Sequence, residues 1–276
     1  GLPFINLQLP VDRQPDLDLI EDTLKKNPDI ALVYTTHHET GTGLLNPIRQ
    51  IGALVHRYHG VFVVDTTSTY AMRPIHMAED EIDFCMASAQ KGIMAMTGLS
   101  FIIGKKSVIE ASAEYPKRSY YCNLFMQYEY ARAHGEMHFT PPVQVIYAAR
   151  QALKEYFEEG ELNKWERHRR VYHAIREGLE ELGFRIFIPK GQEAELVAAA
   201  LYPDDPNWNF EKIHDACYER GFTIYPGKVE KAGMFRLCAL GVIDQEDIKA
   251  FFTVFQEALK ENQVIMPVIY EGGNKK

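Results

Sequence analysis

Along the first hundred residues the hydrophobic positions switch repeatedly between two periods. "DLDLIEDTLKKN" spaces its apolar residues as a helix does, with Asp16 or Asp18 placed to cap its start, and residues 30–36, "IALVYTT", form a continuous apolar run of strand length. "NPIRQIGALVHRYHG" returns to the helical period, with Pro47 near the first turn and Gly60 as a stop. "VFVVD" (61–65), "IDFCMA" (82–87) and "LSFIIG" (99–104) are further short β-type runs, and "FINLQL", starting at Phe4, alternates as a strand. Continuous apolar strands separated by helices predict a mainly parallel sheet covered on both faces, an α/β layer architecture.

From residue 140 the pattern changes. "PPVQVIYAARQALKEYFEEG" and "ELNKWERHRRVYHAIREGLEELG" predict two long helices. Strand-like "FRIFI", "LVAAALY", "FTIYP" and "FRLCAL" follow, with helices at about residues 209–220 and 245–261. This reads as a separate, smaller α+β portion. The boundary falls in the long helices, giving a large domain over residues 1–150 and a small C-terminal domain over 151–276. The tail "EGGNKK" is expected to fray.

Composition removes several function classes. The chain has 276 residues, 30 basic and 38 acidic, for a net charge of −8, so it sets up no field that would attract a nucleic acid or an anionic membrane. The one basic cluster, "KWERHRR" (164–170), is interrupted by Trp165 and Glu166 and reads as a solvated helix face. Cys85, Cys122, Cys217 and Cys238 are scattered without C-x-x-C or zinc-type spacing. Cys85 and Cys238 lie in strand-like runs, as reduced, buried thiols of a cytoplasmic protein would. No apolar run reaches the roughly 18 residues of a membrane span, and no secretion signal is evident.

In an open parallel sheet, ligands bind beyond the carboxyl ends of the strands. Three strand endings carry polar residues: "IALVYTT" runs into "HHETGTG", "VFVVD" ends on Asp65 and continues "TTST", and "IDFCMA" runs into "SAQK" with Lys91. Asp65 alone would serve equally as a helix cap or a metal ligand, and Lys91 alone as a snorkelling surface side chain. Together they suggest a cofactor that needs both an anion and an amine. Pyridoxal phosphate is one: its aldehyde bonds to a lysine amine, and a carboxylate keeps its ring nitrogen protonated. Other chemistries fit less well. "HHE" is not a zinc-binding H-E-x-x-H pair, "GTG" lacks the third glycine of a dinucleotide fingerprint, and Met94 and Met96 read as packing residues.

"HHETGTGLLNPI", "VVDTTST" and "ASAQKG" together resemble the core of the class V branch of the fold type I pyridoxal phosphate aminotransferases, and the 26 positions from Asp65 to Lys91 are similar to that family's own spacing. Within the family the likeness is greatest to the branch acting on 2-aminoethylphosphonate and pyruvate, and it extends over residues 4–259. The resemblance implies that Lys91 binds the cofactor covalently and that Asp65 pairs with its ring nitrogen. Gln90 and Ser88 would contact its phosphate, and Thr40 would lie by the ring and its phenolic oxygen. It also implies a homodimer in which Thr140 reaches the phosphate of the other subunit's cofactor, and Arg236 as the grip on the acidic group of the substrate. A glutamine before Lys91, where cysteine desulfurases of the same fold resemble a histidine–lysine pair, disfavours desulfuration.

The pattern has departures. Family members resemble one another in having some tens of residues upstream of the position of Phe4, including a phosphate-cradling turn, so the chain is expected to begin midway through the large domain. Phe139 stands where the phosphonate branch tends to carry tyrosine, and Cys238 and Ala239 where it tends to carry glycine and asparagine. The expected function is transamination from 2-aminoethylphosphonate to pyruvate. The alternatives are another class V transaminase that passes the amino group of a small amino acid to glyoxylate or pyruvate, and a catalytically silent chain acting only in assembly.

Overall fold

The computed structural model describes residues 3–227 and 232–270. The opening "GL" and the "EGGNKK" tail lie outside the described residues. In chain order the elements are α1 (Leu17–Lys26), β1 (Leu32–Thr36), β2 (His38–Glu39), β3 (Leu44–Leu45), α2 (Ile48–Arg57), β4 (Val61–Asp65), β5 (Phe84–Ser88), β6 (Ser100–Gly104), α3 (Lys106–Ala111), α4 (Leu124–His134), α5 (Val143–Glu159), α6 (Glu161–Glu181), β7 (Val197–Leu201), α7 (Phe210–Tyr218), β8 (Tyr225–Pro226), β9 (Met234–Cys238) and α8 (Gln245–Glu261). They group into two units: one of residues 17–37 and 47–161, the other of residues up to 16, 38–46 and those from 162 onward.

The first unit holds a four-stranded sheet in the order β1-β4-β5-β6, with β1, β4 and β5 parallel and β6 antiparallel. Val64 and Phe62 on β4, together with Ile82 and Cys85, are buried, and α2 covers them with Ile48, Ile51 and Val55. The start and stop signals of α2 act as the sequence predicts: Pro47 stands at the N-cap, and the Gly60 N–H donates to the Val55 carbonyl at 3.0 Å. The run that becomes β1 is less covered than a continuous apolar strand implies. Among the described residues β1 pairs only with β4, and its Leu32 and Tyr34 are 52% and 55% exposed. α4 was not legible in the sequence because its apolar side chains are not gathered on one face and none is buried. Its ends are nonetheless conventional, with the Asn123 side chain accepting from the Met126 N–H and Gly135 in the left-handed conformation.

The second unit packs an antiparallel sheet, β7-β9-β8, against α6, α7 and α8. Its core is Tyr172, Ile175 and Leu179 of α6, Ile213 and Cys217 of α7, Phe235 and Leu237 of β9, and Phe251 and Phe255 of α8. α8 opens with a capping box between Asp244 and Asp247. Four local expectations are corrected here. "FRIFI" forms only a bridge from Ile186 to Ala200, flanked by a bond from the Phe187 N–H to the Ala199 carbonyl, because Pro189 ends the run before a ladder develops. "FINLQL" is irregular and Phe4 is exposed, since no strand among the described residues offers it a ladder. The basic cluster on α6 is not wholly solvated: Lys164 and His168, one turn apart, are buried on the same face as Val171, Tyr172 and Ile175. Cys238 is exposed, because its position on β9 alternates with the inward-facing Phe235 and Leu237. No helix among the described residues is long and apolar enough to cross a membrane.

Candidate active site

The register of the parallel strands brings one set of polar residues to a common edge. Thr36 of β1 lies beside Asp65 of β4, and Asp65 beside Met86 of β5, two positions before Ser88. The chain turns sharply after Asp65, and Thr66 donates from both its N–H (3.0 Å) and its hydroxyl (2.8 Å) to the Met86 carbonyl. The Asp65 carboxylate is half-buried and oriented by two donors, the Thr67 N–H to Oδ1 at 2.8 Å and the Tyr34 hydroxyl to Oδ2 at 3.3 Å. The Asp65 carbonyl accepts from the His37 N–H, and the His37 ring meets the Thr69 hydroxyl through Nδ1 at 3.0 Å, so the ends of β1 and β4 are held together by backbone and side chains alike.

Beyond β5 the chain folds into a compact turn. Ala89 bonds to Leu99 and is bonded in turn by Ala95, while the Met94 N–H closes on the Lys91 carbonyl at 2.8 Å. A side chain at Gly92 would place its Cβ 2.0 Å from the Tyr70 carbonyl oxygen and 2.5 Å from Met72 Cγ, so this turn lies directly against the one that follows β4. Sequence reasoning passed over Gly92. The only signal was a glycine directly after the lysine, and the constraint comes from a segment some twenty positions upstream. Lys91 is half-buried, and no hydrogen bond or ion pair from the described residues reaches its ammonium. The Ser88 hydroxyl is buried without a hydrogen-bond partner among the described residues, and Gln90 is exposed. Met94 and Met96 are exposed rather than packed, because the turn projects them outward.

Thr140 is exposed in the same unit, next to Phe139, whose ring lies 4.9 Å from Tyr121 and 5.6 Å from Tyr120. Thr40 and Arg236 meet in the other unit. The guanidinium donates from Nη1 to the Thr40 carbonyl at 2.7 Å and from Nε to the Pro226 carbonyl at 3.0 Å. Burial pushes the Arg236 guanidinium below its ordinary pKa range, against the opposite pull of Cys238 and Tyr225. The loop that carries Thr40 is fixed by Gly43, whose φ of +90° and whose close approach to the Val197 carbonyl (2.4 Å for a Cβ) exclude a side chain. Its carbonyl also accepts from the Ala194 N–H at 2.9 Å.

These residues fit a cofactor with an aldehyde, a basic ring nitrogen and an anionic group. Among the described residues, Lys91 offers an amine free of other partners, Asp65 a carboxylate with lone pairs to spare, and Ser88 an unsatisfied hydroxyl.

The model of the aminotransferase class-V family matches residues 5–220. The chain is 33% identical over 267 residues to the 2-aminoethylphosphonate–pyruvate transaminase of Cupriavidus necator, covering 96% of this chain and 71% of that one. It is 32% identical over 265 residues to the enzyme of the same name from Lysinibacillus sphaericus, at 95% and 72% coverage. Among solved structures, the pyridoxamine–pyruvate aminotransferase of Mesorhizobium loti superposes with a TM-score of 0.85 at 24% identity, over 94% of this chain and 67% of that one, a likeness of fold. An α/β unit of fold type I, a lysine and an aspartate at adjoining strand ends and a family match over most of the length agree: the chain belongs to the class V aminotransferases, enzymes whose cofactor is pyridoxal phosphate.

Proposed function

We propose that this protein transfers the amino group of 2-aminoethylphosphonate to pyruvate, yielding phosphonoacetaldehyde and alanine. The observation that carries the cofactor roles is the pair of strand endings, with Asp65 closing β4 and the partner-free amine of Lys91 one turn beyond β5. Relatives of that name at about a third identity support the choice of substrate. When bound, the cofactor supplies an electron sink for the bonds at the substrate carbon that bears nitrogen. Lys91 holds it covalently and then, as the free amine, moves the proton at that carbon, work worth roughly 10²- to 10⁴-fold in rate. Asp65 holds a proton on the ring nitrogen. Ser88 and Gln90 bind the phosphate, and Thr40 takes the phenolic oxygen. Arg236 grips the phosphonate of the donor and the carboxylate of the acceptor.

The working form in this proposal is a cytoplasmic homodimer, with Thr140 reaching the partner's cofactor phosphate. The exposed Thr140 and the exposed Tyr120, Tyr121 and Tyr147 of the same unit support a partnered surface. A second reading, another class V transaminase that passes the amino group of a small amino acid to glyoxylate or pyruvate, is carried by Cys238 and Ala239, which depart from the phosphonate branch's pattern close to Arg236.

Borohydride reduction of the protein with pyridoxal phosphate, followed by peptide mapping, tests the cofactor roles. The label is expected on Lys91, and labelling spread over surface lysines would overturn them. Turnover of alanine with phosphonoacetaldehyde, measured against alanine with glyoxylate, tests the substrate. Preference for the first pair supports the phosphonate reading, and preference for the second replaces it.

A further inference from the structure

Strand β1, which among the described residues pairs only with β4, contributes a side chain to the Asp65 carboxylate that no apolar-strand reading of "IALVYTT" anticipates. Tyr34 pairs in register with Val63, and Thr36 with Asp65, so Tyr34 stands diagonally across from Asp65 on the same face of the sheet. In a sheet that diagonal is within reach of an aromatic side chain. The Tyr34 hydroxyl spans it and donates to Asp65 Oδ2 at 3.3 Å, while the Thr67 N–H holds Oδ1 at 2.8 Å. One donor on each oxygen fixes the plane of the carboxylate, and each oxygen keeps a lone pair.

We propose that Tyr34 is a positioning residue for the cofactor's ring nitrogen, acting through Asp65. The inference rests on the assignment of Asp65 to that nitrogen. It identifies a residue on β1, 57 positions before the covalent lysine, as part of the electrostatic control of the ring. A tyrosine acting through Asp65 must matter only when there is a ring nitrogen to act on, whereas a tyrosine that merely stabilises the edge of the sheet must affect any cofactor alike.

The test compares dissociation constants of pyridoxal phosphate and of its 1-deaza analogue, in which carbon replaces the ring nitrogen, for the wild type and Tyr34→Phe. Loss of one hydrogen bond to the carboxylate is expected to weaken pyridoxal phosphate roughly three- to tenfold and to leave the deaza analogue unchanged. In an Asp65→Asn background, Tyr34→Phe is expected to have no further effect. Equal weakening of both compounds, or no weakening of either, overturns the role of Tyr34. A wild type that binds neither compound through Lys91 overturns the underlying cofactor assignment as well, so the two failures are told apart by the wild type alone. Matching circular dichroism and melting of the two proteins establish that the variant is folded.

Discussion

The Arg236 guanidinium donates to the Thr40 carbonyl, 196 positions earlier in the chain, at 2.7 Å. With the Pro226 carbonyl on Nε, this bond holds the fork in one plane, and its remaining N–H groups have no partner among the described residues. An arginine anchored by backbone carbonyls is stiff in advance, so it would lose little side-chain freedom on binding an anion.

Arg236→Lys keeps the charge and loses the fork. If Arg236 binds the acidic group of the substrate, kcat/KM should fall about ten- to a hundredfold, mostly through KM, with labelling of Lys91 unchanged. Steady-state kinetics with both substrates varied, alongside borohydride mapping, distinguishes this from a general loss of structure. An unaltered KM would remove Arg236 from the substrate site.

Gly92→Ala tests the packing that fixes the lysine-bearing turn. Its Cβ would meet a backbone carbonyl oxygen, that of Tyr70, at 2.0 Å, so relief requires the backbone to move and not merely a side chain to turn away. The variant should lose about 1 to 3 kcal/mol of stability in chemical denaturation. It should also release pyridoxal phosphate faster, because Lys91 moves with the turn.

In the other unit, Arg176 and Glu193 form an ion pair in which both side chains are less than a tenth exposed, and Arg176 also donates to Glu180. Arg176→Met leaves the Glu193 carboxylate buried without its cation and should cost roughly 3 to 5 kcal/mol. The double variant Arg176→Met with Glu193→Leu should recover most of that loss, since apolar side chains of similar volume replace both charges. Urea melts of the single and double variants measure the difference, and equal losses would mean that the pair matters through shape rather than charge.

Asp83 predicts an acid limb in stability. Burial by itself raises its pKa, but the Lys105 ammonium, the Phe62 N–H and His56 outweigh burial and hold the carboxyl below its ordinary range. Lys105 Nζ lies 2.7 Å from Oδ1, and the Phe62 N–H 2.7 Å from Oδ2. A carboxyl lowered in the folded state is protonated first in the unfolded chain as pH falls, so its contribution is complete above about pH 4 and fades below it. Asp83→Asn should cost about 2 kcal/mol at pH 7, and the gap between wild type and variant should narrow as pH is taken from 5 towards 2. A gap that stays constant across that range would refute the charge account.

Much of the α/β unit was legible because local chemistry and burial agree there. α2 lies between a proline and a glycine that each do what their backbone geometry dictates, and β4 appears where "VFVVD" alternates between covered and half-covered positions. α8 spans the residues its periodicity marks, with a capping box at its start. The exposed faces were harder to read. α4 has helix ends but no apolar stripe, and "FRIFI" has strand composition but is ended by Pro189 after a single bridge. Lys164 and His168 look solvated until the rest of α6 turns their face inward.

The sequence by itself determined most of the alternation of strands and helices from α1 to β6 and put a carboxylate and an amine directly after apolar strands, since those features follow from periodicity and from residue chemistry read over a few positions. Tertiary structure decided which of these residues meet. Strand register sets Tyr34 diagonal to Asp65, the approach of two turns demands glycine at position 92, and the segment 38–46 joins the unit of β7 and β9, where Thr40 accepts from Arg236. Each of those contacts spans tens to nearly two hundred positions, and its partner is chosen by how sheets and turns stack in space, which a local pattern does not encode.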